Sequence, residues 1–363
     1  MTSADSIVDR VRRAVMSGDD VGHAISTEVQ RANERALGGA VPTEFHESDV
    51  AHRVTGFGIL QSHLDDPTVE EVWINDSSAV FVARSGRHER IPADISSDDL
   101  RTLVERMLRR SGRRVDVSQP FVDASLPDGS RLHVVIPPIT KQHWSVNIRK
   151  FSASVRTLDD LVERGTIALE AKQILRSAMH DGRTVLVSGA TQAGKTTMVC
   201  ALLSELAPDE RIVTVEETFE IATRQPDTVG MQCRGASLDG VGEITLRRLV
   251  KEALRMRPTR LVVGEVRGDE SLDLLVALNS GIPGLCTIHA NSAADAVRKL
   301  VTLCQLAGGV SETFVTATIL ATIDLVVHCR MDADGQRRVV DIARPMSSGD
   351  SGVLTMDSLW ASQ

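Results

Sequence analysis

The sequence predicts an α/β protein in two parts, an N-terminal α+β domain followed by a larger domain built on a mostly parallel sheet. Three observations predict it. From about residue 166, short apolar runs alternate with helix-like segments, the order that builds a parallel sheet covered by helices. A glycine-rich loop, Gly189-Ala-Thr-Gln-Ala-Gly-Lys-Thr-Thr197, directly follows the apolar run Val185-Leu186-Val187. Before it, between about 56 and 150, short alternating runs surround one helix-like segment, Leu100 to Leu108.

Taken in order, residues 1–55 read as a polar helical region. Ile7, Val8, Val11 and Val15 give it one apolar face, and Gly38-Gly39 interrupts it. Residues 56–150 form the α+β domain. Val69 to Ile74 and Ala79 to Ala83 alternate as strands around a turn at Asn75-Asp76-Ser77-Ser78. Pro127-Asp128-Gly129 turns the chain into the strand Arg131 to Ile136, Pro137-Pro138 ends it, and Val146 to Ile148 is a further strand. Residues 151–165 read as a linker, rich in Ser and Thr between Phe151 and Leu161. In the domain 166–363 the strand-like runs are Val185–Val187, Ile212–Val215, Leu261–Val263, Leu285–Ile288 and Asp324–Val327, with a helix from Met198 to Leu206. Ligands of such sheets bind beyond the carboxyl ends of the strands.

Composition narrows the chemistry. The 363 residues are 42% hydrophobic and 25% charged, ordinary for a globular chain with room for two or three domains. A net charge of -8 disfavours binding nucleic acid over a broad face. Stacking platforms for single strands need aromatics, and there are three Trp, seven Phe and no Tyr. Five cysteines, none in a C-x-x-C pair, argue against a disulfide framework or a zinc site and for a reducing, cytoplasmic compartment. Met1 to Asp20 is too polar for a signal peptide. The most apolar stretch, Phe314 to Cys329, carries Asp324 and is too short to span a bilayer, so any membrane contact is expected to be indirect.

The loop names a ligand. It fits G-x-x-x-x-G-K-[ST] between a strand and a helix, the P-loop pattern whose backbone N–H groups cradle phosphate. Gly189 and Gly194 give the backbone its freedom, and Ala190, Thr191, Gln192, Ala193 and Thr197 complete the cradle. Lys195 reaches the outer phosphates, Thr196 places its hydroxyl on Mg2+, and the helix N-terminus adds positive potential. A nucleotide carrying several phosphates, with Mg2+, is therefore the expected ligand. Three strand ends supply candidate partners. Arg260-Leu-Val-Val-Gly-Glu265 ends in an acid that can polarise water and hold the ion through a water shell. Arg211-Ile-Val-Thr-Val-Glu-Glu217 ends in two adjacent acids, Glu216 and Glu217, which need a cation or ordered water nearby. Thr287-Ile-His289 ends in a histidine that either senses the γ-phosphate or is a satisfied core residue.

Together these segments resemble the secretion ATPase superfamily, which drives type II and type IV secretion and the assembly of type IV and Flp pili. Residues 189–197 resemble its Walker A motif, Arg211 to Glu217 its Asp box, Arg260 to Gly268 its Walker B motif and Thr287 to Asn291 its His box. Glu71-Val-Trp-Ile-Asn75, Val115 to Arg131, Asn147 to Phe151 and Leu254-Arg-Met-Arg-Pro258 are most similar to the CpaF/TadA branch, which powers Flp pili. The sequence departs from the family in having Gln192-Ala193 where Gly-Ser is common and Glu217 where aspartate is usual, and it lacks the zinc-binding cysteine quartet of many pilus-extension ATPases.

The resemblance implies a RecA-like P-loop NTPase domain at 166–363 and ATP hydrolysis by a homo-hexamer. It implies nucleotide held between the domains, Arg131 and Arg149 reaching phosphate, His289 coupling the site to movement, and a hinge near 151–161. The motor would be cytoplasmic and peripheral at the cytoplasmic membrane, acting on an inner-membrane platform protein of a pilus or secretion machine. A type IV secretion traffic ATPase moving protein or DNA shares every one of these motifs. A nucleotide-binding scaffold without turnover is the alternative from another class. Arg106, Arg109, Arg110, Arg113 and Arg114 form a local basic cluster, read either as a solvated face or as a contact for anionic partners.

Overall fold

The computed structural model describes all residues except 1–2, 18, 37–44, 55, 77, 85, 93–94, 110, 112, 151–156, 236–240, 349–352 and 363. The glycine pair Gly38-Gly39, Arg110 of the basic cluster and most of the serine-rich linker stretch lie outside the described residues. The chain divides into two compact units, Met1–Phe151 and Ser152–Gln363.

The first unit opens with three helices, α1 (Ser3–Met16), α2 (Val21–Ala36) and α3 (Glu47–Val54). Their apolar faces close on each other through Ile7, Val8, Val11, Ala24, Ile25, Val29 and Val50, as the spacing in α1 predicts. A short helix α4 (Gln61–Asp65) leads into β1 (Val69–Asp76), β2 (Ala79–Arg84) and β3 (Arg87–Ile91). Helix α5 (Ser97–Arg109) and strands β4 (Phe121–Ser125), β5 (Arg131–Val135) and β6 (Ser145–Arg149) follow. The strands form one sheet in the order β3-β2-β1-β6-β5-β4. Alternate residues such as Val72, Ile74, Leu132, Val134 and Ile148 meet Leu100, Val104 and Met107 of α5 in one core. β3 escapes sequence reading because four of its five residues are exposed, so no apolar run marks it.

The second unit begins with α6 (Leu158–Glu163), started by a capping box in which Thr157 and Asp160 satisfy each other's backbone N–H groups. It continues with α7 (Leu169–His180), β7 (Val185–Gly189), α8 (Lys195–Leu203), β8 (Ile212–Glu216), β9 (Thr228–Gln232) and α9 (Leu246–Ala253). Then come β10 (Arg260–Val266), α10 (Glu270–Leu278), β11 (Gly284–His289), α11 (Ala293–Gly308), α12 (Glu312–Thr322), β12 (Leu325–Met331), β13 (Arg337–Ser348) and β14 (Val353–Ala361). The eight strands lie in the order β14-β13-β12-β7-β11-β10-β8-β9. Every pairing from β12 to β9 is parallel, while β13 and β14 are added antiparallel. β7 and β8 are buried at every residue, which is why they read as continuous apolar runs.

Separate hydrophobic cores cover the two faces of this sheet. One centres on α9 to α12 and the other on α6, α7 and α8. Arg260 is 1% exposed at the start of β10, where its guanidinium donates to Glu210 and to the carbonyls of Arg183 and Met179. That network sets the strand's entry. Helix α8 starts at Lys195, three residues before the apolar pattern suggests, because Gly194 in the left-handed region turns the loop directly into the first helical turn.

Candidate nucleotide site at the carboxyl ends of the parallel strands

β7 lies between β11 and β12, with Gly189 in register with His289 on one side and Cys329 on the other. The loop therefore leaves the middle of the sheet. Gly189 has φ +151, and a Cβ there would come 2.3 Å from the Cys329 carbonyl oxygen, so only glycine fits. Gly194 caps α8 at φ +91, and Gln192 holds φ +64 despite its side chain. Lys195 is 8% exposed. Its Nζ donates to the Ala190 carbonyl at 2.9 Å and lies 3.3 Å from His289 Nδ1.

The three strand ends converge on this loop. From β10, Glu265 Oε2 is 2.7 Å from Arg267 Nη2, and Arg267 Nη1 is 2.9 Å from Glu217 Oε2. From β11, His289 Nε2 lies 2.6 Å from Glu265 Oε1. That oxygen is nonetheless buried without a hydrogen-bond partner, so its contact with the imidazole is electrostatic and not an aligned hydrogen bond. Burial holds the His289 pKa below its ordinary value, helped by the Lys195 charge and opposed by Glu265. Lys299 Nζ fixes the strand end by donating to the His289 carbonyl at 2.9 Å.

At the end of β8 the carboxylate of Glu216 faces inward. It accepts from Thr214 Oγ1 at 3.0 Å and from the backbone N–H groups of Glu220 and Ile221 at 2.7 and 2.9 Å. Burial pushes its pKa up to about 7, against hydrogen bonds that favour the ionised form. The turn it holds carries Glu220, whose Oε2 accepts from Thr196 Oγ1 at 3.3 Å.

Lys195, Thr196, Glu216, Glu217, Glu265 and His289 thus belong to one connected cluster. Arg131 and Arg149 belong to the first unit, where β5 and β6 place them directly opposite each other. Arg131 also pairs with Asp123 at 3.3 Å. Sequence reasoning missed Glu220 as a neighbour of Thr196, and Arg267 and Lys299 as brackets of Glu265 and His289. The acid three residues beyond Glu217 was the available signal for Glu220.

Among the described residues no group of three His, Cys, Asp or Glu side chains is placed to hold a metal ion. The chemistry suits magnesium carried on phosphate, which takes only one or two protein ligands. Thr196 with Glu220 beside it, and the orphaned Glu265 Oε1, fit that demand.

A glycine-rich cradle between strand and helix, at the carboxyl end of a mostly parallel sheet, defines a P-loop NTPase of RecA-like architecture. The chain belongs to the type II/IV secretion system protein family, whose model matches residues 54–352. The Mycobacterium tuberculosis protein named "Putative conjugal transfer protein" is 36% identical over 298 residues, covering 80% of this chain and 84% of that protein. The conjugal transfer protein TrbB of Rhizobium radiobacter is 31% identical, covering 76% and 83%. The X-ray structure of the ATPase DotB of Yersinia pseudotuberculosis shares the fold, with a TM-score of 0.56 at 16% identity over 84% of this chain and 79% of that one. No helix among the described residues is long and apolar enough to cross a membrane.

Proposed function

We propose that this chain is an ATP-hydrolysing traffic ATPase of a type IV secretion machine, moving protein or DNA. The observation that carries hydrolysis is the contact chain from Lys195 through His289 to Glu265, which joins the phosphate cradle to a strand-end acid. Relatives named for conjugal transfer, at 31% and 36% identity, support traffic over the Flp-pilus motor expected from the CpaF/TadA-like segments.

The residues divide the work as follows. Lys195 exchanges the Ala190 carbonyl for phosphate oxygens. Magnesium, when bound with the triphosphate, would supply charge neutralisation there. Thr196 and Glu220 would hold that ion. Glu265 orients and polarises the attacking water. Glu216 positions Glu220 through the turn, and Glu217 holds Arg267. His289 registers departure of the outer phosphate because it touches both Lys195 and Glu265.

Arg131 and Arg149 serve phosphate charge. Like charges set opposite each other across two strands repel, and an anion between them relieves that repulsion. An arginine at developing phosphate charge is worth about 10³- to 10⁵-fold in rate. The working form is a cytoplasmic homo-hexamer at the membrane, turning on an inner-membrane platform component of the machine. The test is steady phosphate release against protein concentration. A rise steeper than first order is expected, whereas strict proportionality down to high dilution contradicts the shared ring. In cells, Lys195→Ala should abolish conjugal or effector transfer and leave pili intact. Loss of pili with transfer retained would reverse the assignment.

A further inference from the structure

We propose that Arg337 is a positioning residue of the nucleotide site, bracing the phosphate loop from the β12–β13 hairpin. The inference rests on the reading of 189–197 as a phosphate cradle. In such a loop the backbone N–H groups turn inward, so the carbonyl oxygens turn outward and need partners of their own. Two of these oxygens receive cations. Lys195 Nζ donates to Ala190 O at 2.9 Å, and Arg337 Nε donates to Gln192 O at 2.9 Å. Gln192 is the loop residue that holds φ +64 with a side chain, the backbone state most in need of an external hold. The stem of Arg337 also covers Gly194, where an added Cβ would sit 3.4 Å from Arg337 Cδ.

The hairpin is built to hold the guanidinium there. β12 is in register with β7 up to Cys329 opposite Gly189. β13 returns antiparallel with Arg337 opposite Met331. The turn between them is closed by Asp332 N–H to Gln336 O at 2.8 Å and Gly335 N–H to Asp332 O at 3.0 Å. The Asp332 carboxylate ties both strands by taking Arg330 at 3.2 Å and Arg338 at 2.9 Å. β13 is anchored again where Val339 N–H donates to Thr166 O at 2.9 Å. Lys195 leaves its carbonyl when phosphate enters, whereas Arg337 keeps its own. It holds the cradle open and adds positive charge at the loop, a contribution made alike in the ground and transition states.

The experiment compares wild type, Arg337→Ala, Arg337→Lys and the exposed β13 control Arg344→Ala as full-length chains. It measures binding of a fluorescent ATP analogue, KM and kcat for MgATP, and thermal midpoints without nucleotide. Arg337→Ala should raise Kd and KM roughly tenfold, the scale of one charge-assisted hydrogen bond, with kcat changed less than twofold. Arg337→Lys should recover part of that loss, and Arg344→Ala should behave as wild type. Unchanged Kd and KM in Arg337→Ala overturn the proposal. So does a loss of affinity that tracks an equal fall in the nucleotide-free thermal midpoint, which would make Arg337 a fold residue only. Wild type that binds no nucleotide overturns the cradle reading itself and is distinguished by that control.

Discussion

Lys195 Nζ and His289 Nδ1 lie 3.3 Å apart, so the cation of the phosphate loop is joined to the end of a neighbouring strand. Burial and that ammonium lower the pKa of the imidazole, which favours its neutral form. A neutral ring accepts from the ammonium at Nδ1 and carries its proton at Nε2, the nitrogen facing Glu265. Drawing Lys195 onto a phosphate removes one side of this arrangement and shifts the balance on the other. Under the proposed function, occupancy of the cradle would reach Glu265 through His289.

Glu265→Gln should separate binding from hydrolysis. Glutamine keeps the shape and loses the basic oxygen, so MgATP affinity should stay within a few-fold while turnover falls by about 10² to 10³. Stopped-time phosphate assays beside equilibrium nucleotide binding check this. Parallel loss of both would make Glu265 a binding residue.

Glu220→Ala should act through the metal. The carboxylate beside the Thr196 hydroxyl is lost, and the Mg2+ concentration for half-maximal hydrolysis should rise roughly tenfold. Saturating magnesium should restore most of kcat. A magnesium titration superimposable on wild type would remove Glu220 from the ion's surroundings.

Glu216 should make the second unit's stability depend on pH. Its folded-state pKa is raised from 4.5 to about 7, so between those values the folded protein binds more protons than the unfolded chain. Its stabilising share is complete below about 4.5 and is lost as pH rises through about 7. Glu216→Gln has no charge to pay for. The midpoint difference, variant minus wild type, should therefore become more positive between pH 5 and 8 in urea denaturation. A difference independent of pH contradicts a buried, protonated Glu216.

Gly189→Ala should destabilise the second unit by roughly 2–4 kcal/mol, because the methyl meets a strand carbonyl and the backbone is strained as well. Chemical denaturation measures it. A loss under about 0.5 kcal/mol would show that β7 and β12 separate freely at this point.

How far these elements could be read from sequence follows from what each one buries. β7, β8, β10 and β11 are sandwiched between helices, and burial on both faces leaves apolar runs in the chain. The glycine pattern of the 189–197 loop is legible because its geometry demands glycine at 189 and 194. Contact of Arg337 with Gln192 spans 145 residues and obeys no spacing rule. β13 and β14 escaped because they form a partly exposed antiparallel hairpin whose apolar residues are interrupted by Arg338, Arg344 and Pro345. The division of labour between Glu216 and Glu217 could not be read either. Only the fold shows that the first is buried as an acceptor for the following turn and the second is paired outside with Arg267.

The central claim is that a triphosphate lodges in the 189–197 cradle and is split there. The most direct measurement is phosphate release by the purified full-length chain with MgATP, run beside Lys195→Ala of matched folding. The account predicts steady turnover in wild type and none above background in the variant. Equal release from both, or no release from a wild type that is folded, assembled and supplied with magnesium, would contradict it.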